Sequence, residues 1–455
     1  MGLLNNPKRK SQTLSRNGKG LLFLRFYNKC WGQAVSLAPL LKIKVEHRDK
    51  KPYNKSTATK IERKISMLNQ DYTAKLLNLE DVIITNVENI SGQLHVYIEL
   101  PRTEHVCPAC GAVTDRVHDD RMQTVKDVPL ARETFLHLRK RRYRCSCGKR
   151  FFEKNTFLPR YYRATTRLIC EIIFAFKKLV SAAEIGSRYN VSSTTAMRYF
   201  KCVNYSPREL PEVVSLDEFK GNSGGQKYNS IVADPQNHKI FDILPDRYES
   251  NLVKYFSQFE SKKKVKYFVC DMNPHFRQVA KICFPQATIV ADKYHVIRQV
   301  YWAMERVRKN EQSRLSSKFR KYFKKSRYLL MKPMEKLTGD EASRLTLMLE
   351  ISSKLADAYR VKNEFLTVIR SKSSAEGKQK LANWLQSVEV MDLPEFKDCI
   401  KACRNWFHEI LNSMDVPWTN GFIEGCNNKT KVLKRACFGM RNFRNFRNRI
   451  LHCNT

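Results

Sequence analysis

Four carboxylates and four thiols are the residues of this sequence whose types and spacing could do chemistry. Asp217 lies at the end of the apolar run VVSLD, Asp271 closes KYFVCD, and Asp292 closes ATIVAD. Glu424 is the single acid in an otherwise cationic stretch, NGFIEGCNNKTKVLKRACFGMRNFRNFRNRIL. Acids at the ends of apolar strands in a mixed sheet are held rigidly, close together and partly dehydrated, which is what ligation of a divalent metal requires. Each of them taken alone reads as a turn residue or a helix cap; as a set they are harder to dismiss. The thiols come in two pairs, Cys107 with Cys110 and Cys145 with Cys147. Two such pairs separated by a β-hairpin make a four-thiolate site for structural Zn²⁺, where the metal supplies folding energy that a small core lacks. The second pair has one intervening residue instead of two, and buried free thiols are the plain alternative. His105, His118 and His137 are spare ligands by type but fit better on strand faces.

The elements that must carry these residues follow from periodicity. VIITNV and QLHVYIEL read as strands separated by a turn at Ser91 and Gly92, and two or three short strands lie between the cysteine pairs. Lys140, Arg141, Arg142 and Arg144 precede the second pair, either touching phosphates or simply solvated. After the basic-aromatic linker LPRYYRAT come three helical patterns, the second opened by the capping box Ser181-x-x-Glu184 and the third capped by Ser192. That is the layout of a helix-turn-helix whose third helix would present Ser193, Thr194, Thr195 and Arg198 to base edges; plain scaffold is the other reading. VVSLDEF, YNSIVADP and KIFDILPD then suit an antiparallel meander, with KYFVCD and ATIVAD as further strands and a helix opening at Asp292-Lys-Tyr-His295.

From about Val296 to Met414 only helical periodicity remains, for example Leu345, Met348, Ile351, Leu355 and Tyr359, with Trp302, Trp384 and Trp406 as core or interface residues. This block separates Asp271 from Glu424, so it is an insertion from which the chain returns to the sheet. A helix beginning at the N-cap residue Asn420 puts Ile423, Cys426, Thr430, Leu433 and Cys437 on one stripe. Glu424, Asn428, Lys431 and Arg435 fall on another face. With Lys434, and with Arg441, Arg444 and Arg447 interleaved with Phe443 and Phe446, this end of the chain suits a phosphate backbone.

The totals narrow the partner. Among 455 residues, 83 are Lys or Arg against 44 Asp or Glu, a net charge of +39 that points to a polyanion, nucleic acid first. No apolar run approaches the roughly 20 residues that cross a bilayer, and the 14 cysteines are mostly set in apolar patterns, as in a reducing cytoplasm. Residues 1–66 are basic and aperiodic, expected to be disordered. They are either a DNA-binding arm or the product of a start assigned upstream of Met67.

In such a chain the acids fit two-metal phosphoryl transfer with Mg²⁺ or Mn²⁺, one ion activating a water or a DNA 3′-hydroxyl and the other stabilising the departing oxygen. No nucleophilic serine or phosphate-cradling GxxxxGKS loop stands where this chemistry would need it. From about Met67 onward the chain resembles the ISL-three family of bacterial insertion-sequence transposases, through CPACG with CSCGKRFFE, SLDEFKG, CDMNPHF, FPQATIVADKYHV and the long stretch around Glu424. The resemblance implies a multidomain α+β architecture: an N-terminal zinc-binding β domain, a helix-turn-helix, and a ribonuclease-H-like mixed α/β DDE domain with an all-helical insertion. The corresponding divisions are 67–158, 159–206, 207–295 with 415–455, and 296–414.

The resemblance further implies that Asp217, Asp271 and Glu424 are the first, second and third catalytic acids. Asp292 and His295 form a D-x-x-H element with a supporting role, such as orienting the scissile phosphate, and Asn428 supports from the Glu424 helix. It implies double-stranded DNA as partner, both terminal inverted repeats and target, a homo-oligomer that pairs the ends, and a cytoplasmic, nucleoid-associated place. The competing classes are a DNA-binding regulator, a hydrolytic nuclease that does not rejoin, and an inactive transposase-derived copy.

Overall fold

A computed structural model describes residues 82–206, 209–325 and 327–454, so the expectations for residues 1–66 and for Met67 lie outside the described residues. The first part is built on strands β1 (Ile83–Ile90), β2 (Gln93–Glu99), β3 (His105–Val106), β4 (Val113–Thr114), β5 (Val117–Asp127), β6 (Thr134–Arg144) and β7 (Arg150–Phe152). β1, β2, β6 and β5 form one sheet in that order, β7 pairs with β6, and β3 pairs with β4 beside it. The β1–β2 turn has Ser91 at φ +50° and Gly92 at +80°, the double left-handed geometry that matches the twist of a two-residue hairpin. Val96, Ile98, Val125, Leu136 and Leu138 alternate inward and form the core of this sheet. Sequence patterning suggests short strands here, but β5 and β6 each run for 11 residues. The charged residues are cross-strand partners: Asp119 stands opposite Arg142 and pairs with it, and Asp120 bonds Arg139 at 2.7 Å.

Three helices follow: α1 (Thr166–Ala175), α2 (Ala182–Arg188) and α3 (Ser193–Phe200). Each is opened by a hydroxyl, with Thr165, Ser181 and Ser192 accepting backbone N–H groups from Leu168, Glu184 and Thr195. Asn190 takes φ +52° between α2 and α3. A side chain at Gly186 would meet the Val191 carbonyl oxygen at 2.5 Å, so a glycine lets the α2–α3 turn close this tightly. Leu168, Ile172, Ile185, Ala196 and Phe200 bury the shared face.

A second five-stranded sheet is formed by β8 (Val213–Phe219), β9 (Asn229–Asp234), β10 (Lys239–Leu244), β11 (Tyr267–Cys270) and β12 (Thr288–Ala291). Its order is β10-β9-β8-β11-β12. The meander β8–β10 is antiparallel, while β11 runs parallel to both β8 and β12. α4 (Glu249–Ser257) precedes β11, α5 (Pro274–Cys283) joins β11 to β12, and α6 (Lys293–Arg314) leaves β12. The chain then stays helical through α7 (Ser317–Lys325), α8 (Arg327–Met331), α9 (Gly339–Ile351), α10 (Ser353–Ile369), α11 (Ser374–Glu389), α12 (Lys397–Asn405) and α13 (Phe407–Asn412). It returns with α14 (Gly421–Ala436) and α15 (Phe443–Asn454).

The sheet has helices on both faces. Leu216, Val232, Phe268, Cys270 and Ala291 face the core shared with α4, α5 and the helical block. Phe219, Ile231, Ala233 and Ile243 face Ile423, Cys426 and Leu433 of α14 and Phe446 and Ile450 of α15. Within the block, Leu345, Met348, Leu355 and Tyr359 are buried as their spacing suggests, whereas Ile351 is exposed. Trp384 and Trp406 are core residues. Trp302 is not: it is 49% exposed, with the Arg298 guanidinium 4.7 Å from its ring centre.

Candidate active site

β8 and β11 are neighbouring parallel strands with Leu216 beside Cys270, so the next residue on each, Asp217 and Asp271, emerges at the same edge of the sheet. Asp292 follows β12 on the far side of β11, at the N-cap of α6. Glu424 lies in the first turn of α14. All four line one cavity of about 410 Å³, with Glu218, Tyr294, His295, Arg298, Asn427 and Lys431 among the other walls. The folded chain thus brings Asp217, Asp271, Glu424, Asp292 and His295 together from four separate stretches of sequence.

Their environments differ. Asp217 is 9% exposed; its Oδ1 accepts the Glu218 N–H at 2.8 Å and its Oδ2 accepts Asn427 Nδ2 at 3.1 Å. Burial, followed by the Asp271 and Asp292 charges, outweighs these bonds and pushes its carboxyl up to about 6. Burial also pushes Asp271 up to about 6, and Asp271 Oδ1 is buried with no hydrogen-bond partner among the described residues. Neither acid forms an ion pair with a described residue. Asp217 and Asp271 offer hard, largely dehydrated oxygens, one of them buried and unsatisfied, and Glu424 adds an exposed carboxylate from α14; this donor set fits a divalent cation of the Mg²⁺ or Mn²⁺ kind. The carboxylates are not packed as a single cage: among the described residues, only the four thiols form a group of three or more donors all within 4.8 Å of one another.

Asp292 is held by two elements. Its Oδ1 accepts the Asn420 N–H at 3.0 Å, and its Oδ2 accepts the His295 N–H at 3.4 Å and bonds His295 Nδ1 at 2.7 Å. Both oxygens are therefore spent on holding α6 and the start of α14. Burial opposes a charged imidazole at His295, but the Asp292 hydrogen bond and charge prevail and raise its pKa above the ordinary value. With Nδ1 engaged, the ring keeps Nε2 for the cavity it lines. Asn420 does stand at the N-cap position, yet its side chain does not cap the helix; it accepts the Ser215 hydroxyl from β8 instead.

The predicted stripe Ile423, Cys426, Thr430 and Leu433 is buried, with Cys437 half-buried. Asn428 is exposed, accepts Lys431 Nζ at 3.1 Å and lies outside the cavity lining. Its neighbour Asn427, which sequence reasoning passed over, is the amide that reaches Asp217. The signal was available: Asn427 precedes Asn428 and sits beside the apolar stripe, where an amide is buried only with a partner. Arg298 was also missed. It lines the cavity one turn after His295, with its Nε buried and unpartnered.

The thiols of Cys107, Cys110, Cys145 and Cys147 converge, with Cys107 Sγ 3.7 Å from Cys147 Sγ and Cys110 Sγ 3.5 Å from Cys145 Sγ. Four sulfurs about 2.3 Å from one tetrahedral Zn²⁺ stand roughly 3.8 Å apart, so the group fits zinc with little adjustment. The contracted second pair works because Gly148, at φ +83°, turns the chain directly after it. None of His105, His118 and His137 belongs to the group. His105 packs on Tyr143, His118 lies beside Asp119, and His137 stacks on His95 and Tyr97.

On α3, Ser193, Thr194 and Arg198 are exposed, while Thr195 is half-buried and its hydroxyl accepts from Ser192 at 2.9 Å. Lys431, Arg435, Arg441 and Arg444 are exposed, and Lys434, half-buried, donates to the Lys220 carbonyl at 3.0 Å. Arg447 corrects the interleaved reading of the last segment. It pairs with Asp242 and donates to the Tyr205 carbonyl, and Phe446 beside it is core, so this part of α15 is packing surface.

Comparison with known proteins gives two family matches. Residues 214–450 match the DDE, ISL3-type family described as transposase, and residues 103–147 match the zinc-finger of transposase IS204/IS1001/IS1096/IS1165. The chain is 27% identical over 369 residues to the transposase for insertion sequence element IS1001 of Bordetella parapertussis, covering 78% of this chain and 90% of that protein. It is 23% identical over 240 residues to the transposase for IS1557 of Mycobacterium tuberculosis, covering 47% of this chain and 54% of that one. A shorter stretch of 105 residues, 23% of the chain, is 30% identical to a Lactococcus lactis protein named ATP-dependent protease.

Proposed function

The chain belongs to the ISL3 family of DDE transposases, and from that premise we propose that the cavity between β8, β11 and α14 is where it cuts and joins DNA. As a transposase it is a DNA-cleaving enzyme, and its four-thiolate ribbon carries structural zinc. The observation that carries the placement is the pair Asp217 and Asp271, two dehydrated acids at matching positions on the neighbouring strands β8 and β11, unpaired by any described cation, with Glu424 across the same cavity.

In this reading Asp217 is the first acid, Asp271 the second and Glu424 the third. Divalent cations held by these carboxylates supply charge neutralisation for the phosphoryl oxygens and activation of the attacking oxygen. A pair of ions shared out among the three acids does not require all three in one tight group, in keeping with their looser spacing. Asn427 fixes the rotamer of Asp217. Asp292 anchors the N-terminus of α14, and so Glu424, to the end of β12. Arg298 and Lys431 put positive charge on the wall, where a DNA phosphate would sit, and His295 Nε2 offers that phosphate or the leaving strand a hydrogen bond.

The same reading takes the order β10-β9-β8-β11-β12 with α14 and α15 as a ribonuclease-H-like domain, residues 207–295 and 415–455, interrupted by the helical insertion 296–414. It takes 67–158 as the zinc ribbon and α1–α3, within 159–206, as a helix-turn-helix that places Ser193, Thr194 and Arg198 against base edges. Two element ends must be held at once, so the active form is a homo-oligomer; a stably monomeric complex carrying two end duplexes would refute that part.

The deciding experiment is cleavage and joining of a labelled transposon-end duplex with Mg²⁺ by the wild type, Asp217→Ala, Asp271→Ala and Glu424→Ala, beside a binding assay. Binding that survives while cutting and joining vanish in all three supports the reading. A wild type that binds its ends but neither cuts nor joins with any divalent metal overturns it in favour of a regulator. Cutting without joining would favour a hydrolytic nuclease.

A further inference from the structure

A second concavity is distant in sequence from the acids. It is a groove of about 1170 Å³ between the β5–β6 hairpin and the linker that leads to α1. Five cations line it: Arg121, Lys140, Lys154, Arg160 and Arg163. Nearby arginines on the same strands are matched by acids, Arg139 to Asp120, Arg141 to Glu99 and Arg142 to Asp119. Among the described residues, none of the five groove cations has such an ion pair. The one carboxylate among the lining residues, Glu153, is 3% exposed and accepts the Arg141 N–H at 2.9 Å, so it does not neutralise the groove mouth. Arg121 and Lys140 crowd the same ring, 4.4 and 5.6 Å from the centre of Phe152. Burial, followed by the Arg121 charge, outweighs the buried Glu153 carboxylate and holds the Lys140 ammonium below its ordinary value.

The linker contributes a second feature. Tyr161 is 88% exposed, and its backbone is at φ +67°, the left-handed region that a bulky residue rarely adopts. The Arg160 guanidinium lies 4.7 Å from its ring centre. The next residue, Tyr162, also lines the groove and packs 5.8 Å from Tyr199 of α3. Lys126 of β5 reaches the Asn190 carbonyl in the α2–α3 turn. The groove and α3 therefore belong to one packed surface.

We propose that this groove is a second DNA contact, which clamps the sugar-phosphate backbone of the duplex engaged by α3 through Arg121, Lys140, Lys154, Arg160 and Arg163, with Tyr161 against the strand. It contributes sequence-independent affinity and sets the register of the duplex, leaving base reading to α3. The inference rests on the DNA-binding part of the function proposed above but not on its catalytic acids, which permits separate tests.

The experiment measures duplex binding by the full, zinc-replete chain as a function of KCl, with the element's end sequence and a scrambled duplex as probes. The triple variant Arg121→Ala/Arg160→Ala/Arg163→Ala is expected to lower the slope of log affinity against log salt by about 2.7, at roughly 0.9 per phosphate contact. It should weaken both probes by the same factor, while the matching triple Lys variant retains the slope. Tyr161→Ala is expected to weaken both probes about equally without changing the slope. An unchanged slope in the Ala triple, with zinc content and circular dichroism intact, overturns the proposal. So does a loss confined to the end sequence, which would make the groove a base reader, or binding of an acidic peptide in preference to DNA. Asp217→Asn keeps the wild-type salt slope whatever happens to cutting, so failure of the active-site reading and failure of the groove are told apart.

Discussion

With divalent metal withheld, Asp271→Asn is expected to make the protein more stable. Burial holds the Asp271 carboxyl at about 6 against an ordinary 3.8, and Oδ1 has no partner to replace its lost water. An acid whose pKa is raised in the folded state binds its proton more tightly there than in the unfolded chain. Folding stability is therefore full below the ordinary value and is lost as pH rises through the folded one. At pH 7 the forfeited stability is about 3 kcal/mol, from the difference in pKa at 1.36 kcal/mol for each unit. Burying an amide in place of the carboxylate returns about 1 kcal/mol of that, which leaves a net gain of about 2 kcal/mol. Urea unfolding in zinc-replete, magnesium-free buffer reads it as a higher midpoint for the variant at pH 7. Near pH 5 the folded carboxyl is mostly protonated, and the gain should shrink by more than half. Added Mg²⁺ should raise the midpoint of the wild type and not of the variant. A variant less stable than the wild type at pH 7, or a gain equal at pH 5 and pH 7, refutes the picture of a dehydrated acid kept for metal.

Asp292→Ala should do the reverse under the same conditions. Loss of the α6 cap and of the partner for the Asn420 N–H and His295 should cost about 3–5 kcal/mol, and an unchanged urea midpoint would show that Asp292 is not a structural anchor. Asn427→Ala removes the Asp217 contact and is expected to slow cleavage by about 10- to 100-fold. It should raise the Mg²⁺ concentration required while duplex affinity stays constant; an unchanged metal requirement would count against its positioning role. Cys145→Ser should abolish zinc binding, measured by metal analysis, and expose the β5–β6 hairpin to proteolysis, because a zinc site of this kind supplies on the order of 10 kcal/mol. A variant that keeps its zinc would remove Cys145 from the site.

Much of the architecture could be read from the chain because its local signals agree with its packing. Asp271 and Asp292 directly follow the last residues of β11 and β12, as the apolar runs suggest, whereas β8 continues past Asp217 to Phe219, paired with β9. The Cys pairs specify a cluster through their own spacing, which survives a contraction because Gly148 supplies the left-handed turn. The errors came from charge. The strands between the cysteine pairs read as short, but aspartates and arginines that form cross-strand ion pairs carry β5 and β6 through 11 residues each. Arg447 looks like a phosphate ligand, yet Asp242, 205 residues earlier, has already claimed it. A cation's partner is a tertiary fact, and periodicity carries no information about it. For the same reason Asn427 and Arg298 escaped notice, one reaching an acid 210 residues away and the other left with an unpaired buried nitrogen.

The position of Glu424 is the case where local and distant terms meet. Helical period alone puts it on a face with Lys431 and Arg435, but nothing within α14 says that this face looks toward the sheet edge. That is decided at the helix start. Asn420 spends its side chain on Ser215 of β8, and its N–H on Asp292, which is 128 residues earlier and caps α6 with the same carboxylate. One buried acid thus ties the strand end, the helix that leads into the insertion and the helix that returns from it. The helices α7–α13 share a core with the sheet, and Asn412 bonds the Ile289 carbonyl of β12, but none of them supplies a residue to the cavity of the acids. If this is right, shortening the loops within the insertion should change stability with little effect on cleavage. Asp292→Ala and Ser215→Ala should lower cleavage through misplacement of Glu424 while Asp217 and Asp271 stay in place. Equal sensitivity of cleavage to both kinds of change, measured on the same end duplex, would mean that the insertion itself holds the site together.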